Sequence, residues 1–216
     1  MIFFNNENPH KVRRKILEIA SNHNVESLFK RCHKKCIKKA TTVHFSRKWD
    51  GYDFVGISKK MSGGATAILF VKIPTTYGKN YYMSTEVTSQ QTSFTCGHVI
   101  DRVTTRSERQ ITKMIDIAKF LNDCENSTDI TIDGNSFEAN FIRLTKYGVL
   151  LGDRVNGNQG ICSSRDIIPI FKTFISEKML LPFQKEKIAK WFNQLPKDEI
   201  LWAEENIFIN WENKLY

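Results

Sequence analysis

The longest apolar runs in this chain, Ala67–Val71 and Met179–Pro182, fall far short of the roughly 18 residues that span a bilayer. The opening Met1-Ile2-Phe3-Phe4 turns polar at once, with neither a basic leader nor an adequate hydrophobic stretch, so no signal peptide is expected. Cysteine is sparse and odd in number, with five residues at 32, 36, 96, 124 and 162. A disulfide framework is therefore not expected, and free thiols point to a cytoplasmic location. Phosphate-loop and dinucleotide fingerprints are missing, as are the G-x-S-x-G and H-E-x-x-H motifs; Ser62-Gly63-Gly64 reads as a turn. A metal nuclease needs clustered carboxylates, and Asp50, Asp53 and Glu86 meet that need only loosely. No metal or other cofactor is expected.

Acidic residues are also in deficit. Lys and Arg number 32 against 23 Asp and Glu, a formal charge of +9 with a pI near 9.3. Such an excess favours a polyanionic partner, RNA or DNA, because phosphate contacts release condensed counterions. The excess is concentrated at one end. Residues 11–48 hold Lys11, Arg13, Arg14, Lys15, Lys30, Arg31, Lys34, Lys35, Lys38, Lys39, Arg47 and Lys48 against only Glu18 and Glu26. Asp198 to Glu212 carries five acids and no base, so the two ends can pair or face different partners.

Apolar residues make up 41% of the chain and aromatics 12%, enough for a real core in 216 residues. Apolar positions 12, 16, 17, 19 and 20 predict a helix over Val12–Ala20, and Asn24 or Ser27 caps a second helix to about Ala40. Strands are expected at Thr42–Phe45, Phe54–Ser58, Ala65–Ile73 and Tyr81–Val87. A long helix should run from Gly97 to about Asn122. Strands at Asp129–Ile132, Phe137–Leu144 and Val149–Gly152 follow, with turns at Asp133-Gly134-Asn135 and Lys146-Tyr147-Gly148. A helix from Asp166 or Pro169 to about Phe174 and a helical C-terminal end complete the reading. The expected fold is α+β: a mostly antiparallel sheet with a central long helix, N-terminal basic helices and a C-terminal helical region. The segments are 1–40, 41–175 and 176–216, forming one compact unit.

On the helix after Gly97, residues His98, Arg102, Arg106 and Arg109 fall within roughly an 80° sector, opposite the apolar side bearing Val99 and Val103. An imidazole moves protons near neutral pH, and guanidinium groups hold phosphate and offset charge on phosphoryl oxygens. The pattern suits phosphodiester chemistry, phosphate binding without catalysis, or a plain solvated face paired with Asp101 and Glu108. The basic residues of the second helix, Lys34, Lys35, Lys38 and Lys39, together with Arg47 and Lys48, suit tracking of a nucleic-acid backbone. Cys32 and Cys36 share that helix's inner face and read as core rather than as zinc ligands, because the surrounding bases oppose a dication. His44-Phe45-Ser46-Arg47-Lys48-Trp49 mixes aromatic and basic residues that suit base stacking, although Phe45 belongs in the core. His44 is a candidate second proton-transfer group. The aromatic C-terminal end, including Trp191, Trp202 and Trp211, covers the sheet or docks a protein partner such as an antitoxin.

The stretch Phe94-Thr95-Cys96-Gly97-His98-Val99-Ile100-Asp101-Arg102-Val103-Thr104-Thr105-Arg106 resembles the H-x3-R-x3-R helix of uncharacterised bacterial and phage proteins. A similar helix occurs in small toxin-like proteins placed near the RelE and BrnT ribonuclease toxins. The match covers thirteen residues and maps only His98, Arg102 and Arg106 as catalytic. It implies metal-independent cleavage of RNA by its own 2′-hydroxyl. Such toxins are about half this length, so the terminal helices would be additions. The sequence thus frames three functions: a toxin-like endoribonuclease, a noncatalytic DNA- or RNA-binding protein, and a phage or host interaction protein that acts by binding a partner.

Overall fold

A computed structural model of the chain describes residues 8–61, 64–76, 78–106, 111–125, 128–131, 139, 141–156 and 167–194. Helix α1 (Pro9–Asn22) starts where the Asn8 side chain accepts the His10 N–H at 2.9 Å, with Pro9 supplying the preset φ of a first helical residue. Val12, Ile16 and Ala20, each one turn apart, are buried. Asn24, at φ 54°, makes the left-handed corner into α2 (Val25–Lys39). Helix α2 buries Phe29, Cys32 and Cys36 and turns its lysines outward.

Five antiparallel strands follow: β1 (Val43–Trp49), β2 (Tyr52–Met61), β3 (Gly64–Pro74), β4 (Asn80–Glu86) and β5 (Thr92–Cys96). Asp50 and Gly51, both at positive φ, close the two-residue β1–β2 hairpin. Two helices come next, α3 (Gly97–Arg106) and α4 (Met114–Glu125), then β6 (Thr128–Thr131), β7 (Phe141–Thr145), β8 (Gly148–Asn156) and β9 (Ile167–Ser176). A 3-10 turn at Glu177–Met179 leads into α5 (Pro182–Phe192).

All nine described strands form one sheet, ordered β1-β2-β3-β4-β5-β9-β8-β7-β6. Two antiparallel meanders are joined through one parallel pair, in which Phe94 meets Ile170 and Thr95 meets Phe171. The architecture is α+β, and the sheet is mixed by virtue of that junction.

Side-chain alternation along the strands sorts the core. On one face Phe54, Val71, Met83, Phe94 and Ile170 pack with Val12, Ile16 and Phe29 of α1 and α2. The same face of the second meander meets α5 through Leu144, Val149, Leu151, Ile188 and Phe192. On the opposite face Val55, Phe70, Tyr82, Phe141 and Phe171 pack with Val99 and Val103 of α3 and with Ile117 and Leu121 of α4.

Two sequence expectations are corrected. The long helix from Gly97 is two helices, because 111–113 leave the helical path before Met114. The segment expected to be helical up to Phe174 is β9. Its near-continuous Ile and Phe suit a strand buried on both faces beside a parallel neighbour. Pro169 is tolerated there because it pairs with Arg154 and stands before the first residue paired with β5. Strand β5 was not anticipated. The Asp133-Gly134-Asn135 turn and the part of the expected helical C-terminal end beyond Gln194 lie outside the described residues, as does Trp202. Among the described residues no helix is long and apolar enough to cross a membrane.

Candidate functional site

Helix α3 follows β5 directly and runs along β9. Val99, Ile100 and Val103 bury its inner side, and Arg102 and Arg106 reach β9 beside it. Arg102 donates to the Thr173 hydroxyl, and Arg106 donates to the Phe174 carbonyl oxygen at 2.7 Å. Both guanidinium groups are therefore used in part to hold α3 to the sheet, although each has further N–H donors. His98 is exposed and forms no hydrogen bond among the described residues. Arg109 lies outside them.

The second proton-transfer candidate is not near the first. His44 pairs with Ile57, Ile57 with Ile68, and Ile68 with Glu86 at one end of β4. His98 follows Cys96, whose partner Tyr81 is at the other end of β4. Four strand spacings across and five residues along the sheet put the two positions roughly 25 Å apart.

A different cluster is brought together by α2 lying across β1. Among the described residues β1 is an edge strand with no strand on its outer side, and α2 lies against it. The result is a cleft of about 490 Å³ with Leu28, Cys32, Val43 and Phe45 as its apolar lining. Arg31 and Lys35 come from α2, and His44, Ser46 and Arg47 from β1. Arg31 is steadied by its Nε donating to the Ser27 carbonyl oxygen at 3.4 Å, and Arg47 by donating to the Ser46 carbonyl oxygen at 2.8 Å. None of the ion pairs among the described residues involves Arg31, Lys35 or Arg47. Burial pushes the Cys32 thiol above its ordinary value, while Lys35, Arg31 and Arg47 pull it back.

Lys34, Lys38 and Lys39 are exposed along the outer ridge of α2, continuous with Lys35 in the cleft. Lys48 is exposed on β1, alternating with Arg47 to the other side of the edge strand. The aromatics that sequence offered for base stacking are engaged elsewhere. Phe45 packs edge-on against Phe29 at 5.1 Å, and Trp49 stacks on His23 at 5.2 Å and touches Phe54 at 4.8 Å.

Sequence reading singled out Lys35 and Arg47 but not their meeting with Arg31 and Cys32 in a cleft. The available signal was the alternation of Val43, Phe45 and Arg47 beside the i, i+4 pair Arg31 and Lys35. It also missed a polar group on the opposite face. There Glu125 of α4 accepts from Ser84 at 2.8 Å and pairs with Arg143 at 3.1 Å, while Arg143 lies over the Phe171 ring at 4.8 Å. This group ties α4 to strands of both meanders. Comparison with protein-family models, with curated proteins and with solved structures found no match for the chain.

Proposed function

We propose that this chain is a nucleic-acid-directed protein that grips phosphate backbones with the α2–β1 face. The observation that carries this reading is the cleft cluster of Arg31, Lys35 and Arg47, which has no acidic partner among the described residues and continues into the lysine ridge. Uncompensated cations at a concave surface repel one another, and a polyanion relieves that cost while releasing its own counterions. Engagement of Phe45 and Trp49 within the protein favours contact with backbone over stacking with bases. The reading places the protein in the cytoplasm, in keeping with the free thiols of Cys32, Cys36, Cys96 and Cys124. The test is binding of RNA and DNA oligonucleotides across a salt series. Affinity should fall steeply with salt, and neutralising Lys34, Lys35, Lys38 and Lys39 to Gln should flatten the slope by about 0.7–0.9 per phosphate contact removed. Salt-independent binding, or an unchanged slope, refutes the reading.

A second reading makes the protein a metal-independent, toxin-like endoribonuclease of bacterial or phage type. It is favoured by the exposed, unbonded imidazole of His98 on the first turn of α3, with Arg102 and Arg106 one and two turns behind. His98 would transfer the proton, and the spare donors of the two arginines would hold phosphate. It requires RNA cleavage that persists in EDTA and disappears in His98→Ala. Intact RNA under both conditions rules it out.

A further inference from the structure

The convergence of Arg31, Lys35 and Arg47 is denser than a passing backbone contact needs. An internal phosphodiester carries one negative charge, whereas a phosphate monoester carries about −1.5 to −2 at pH 7 and offers three strong acceptor oxygens. Arginine forks favour such oxygens because they can bind two at once, and two of the three cations here are arginines. Both are oriented by main-chain carbonyls before any ligand arrives. All three cations line the same cleft, beside Cys32. The cleft's size, about 490 Å³, is that of a small-ligand pocket, enough for a nucleotide. Its apolar lining, from Leu28, Val43 and Phe45, gives a sugar or base edge somewhere to rest.

We infer that the α2–β1 cleft is a subsite for a phosphate monoester at the end of a nucleic-acid strand, held by Arg31, Lys35 and Arg47. The inference rests on the reading that this face binds nucleic acid, and it adds which part of the strand the cleft takes. The lysines at 34, 38 and 39 then follow the adjoining backbone.

The experiment uses the full chain and three internally labelled oligonucleotides of one sequence, bearing a 5′-phosphate, a 3′-phosphate or hydroxyls at both ends. One phosphorylated strand should bind about tenfold more tightly than the hydroxyl-ended strand, the size of one added charge-assisted contact. Arg47→Gln and Arg31→Gln should bring that ratio toward one, while Lys38→Gln should lower all affinities and keep the ratio. Equal, salt-sensitive binding of all three strands overturns the inference and leaves the backbone reading standing. A ratio that survives both arginine substitutions also overturns it. A nucleoside 5′-monophosphate that competes as well as the phosphorylated strand overturns the strand-end assignment in favour of a free nucleotide. Lack of salt-sensitive binding to any strand removes the backbone reading itself.

Discussion

The Arg106 guanidinium donates to the main-chain carbonyl oxygen of Phe174, 68 residues further along the chain, at 2.7 Å. A residue that sequence placed on a phosphate-facing stripe is thus also a strap between α3 and β9. A hydrogen bond from a half-buried charged donor to a carbonyl of a buried residue contributes about 1.5–3 kcal/mol. Arg106→Ala should lower the urea midpoint by a corresponding amount. An exposed control, Lys38→Ala, should stay within about 0.5 kcal/mol of the parent. An unshifted midpoint for Arg106→Ala would show that the strap contributes nothing.

Gly56 makes room for the packing that positions the cleft. A Cβ built there would be 2.1 Å from the Phe45 ring and 2.9 Å from the Phe29 ring. Neither ring can turn aside freely, since each packs edge-on against the other between α2 and the sheet. Gly56→Ala should therefore cost about 1–3 kcal/mol through overpacking. Because the strain falls between α2 and β1, weakened oligonucleotide binding should accompany the lower melting temperature. Unchanged thermal stability would contradict the packing argument.

The Glu125–Arg143 pair should be strongly coupled. Arg143 is about one-tenth exposed and Glu125 about one-quarter, so removing one partner strands a charge against Phe171, Ser84 and Ser93. Breaking a fully buried pair costs about 3–5 kcal/mol, and the exposure of Glu125 reduces this to roughly 2–3. Glu125→Gln and Arg143→Met should each destabilise, and the double substitution should cost less than their sum. Simple additivity in that cycle would show that the pair contributes no coupling.

Thiol chemistry should separate the described cysteines. Cys124 is fully buried, and burial pushes its thiol far above the ordinary value of 9.0. The thiolate is the reactive form, so at pH 8 Cys124 should resist alkylation until the protein unfolds, whereas the partly exposed Cys96 should react in the native state. The sign for stability follows from the same shift. The unfolded thiol ionises near its ordinary value while the folded one stays protonated. Stability is then flat below about pH 9 and falls as pH rises beyond it. Cys124→Ala should reduce that alkaline slope, as read from urea midpoints at pH 8 and pH 10. Rapid native-state alkylation of Cys124 would contradict its burial.

What could be read from the sequence was whatever depends on local periodicity. Spacing in α1 and α2 placed Val12, Ile16, Phe29, Cys32 and Cys36 inside and the lysines outside, as the structure has them, whereas Ile37, counted with the same apolar set, is exposed. Strands β2, β3 and β4 were found within a few residues because alternating or β-branched runs signal burial on a pleated surface. The break between α3 and α4 was harder to see, because the apolar faces of the two helices fall almost in phase. Its one local sign is that Ser107 and Gln110 are polar where a continuous helix would need apolar side chains.

Strand β9 shows where local pattern fails. Ile167 to Ile175 is apolar with little alternation, and such a run reads equally as a buried helix or as a strand covered on both faces. Pairing with β5 and β8, from distant parts of the chain, decides between them.

The same division applies to the site. Charge and helical phase were enough to predict a cationic ridge on α2 and a His98–Arg102–Arg106 row on α3. Only tertiary structure brought Arg47 to Arg31 and Lys35, put His44 at the far end of the sheet from His98, and turned Arg102 and Arg106 toward β9. Periodicity records which side of an element faces inward. Strand register and helix crossing determine which residues become neighbours, and both are set by contacts between segments that no local window contains.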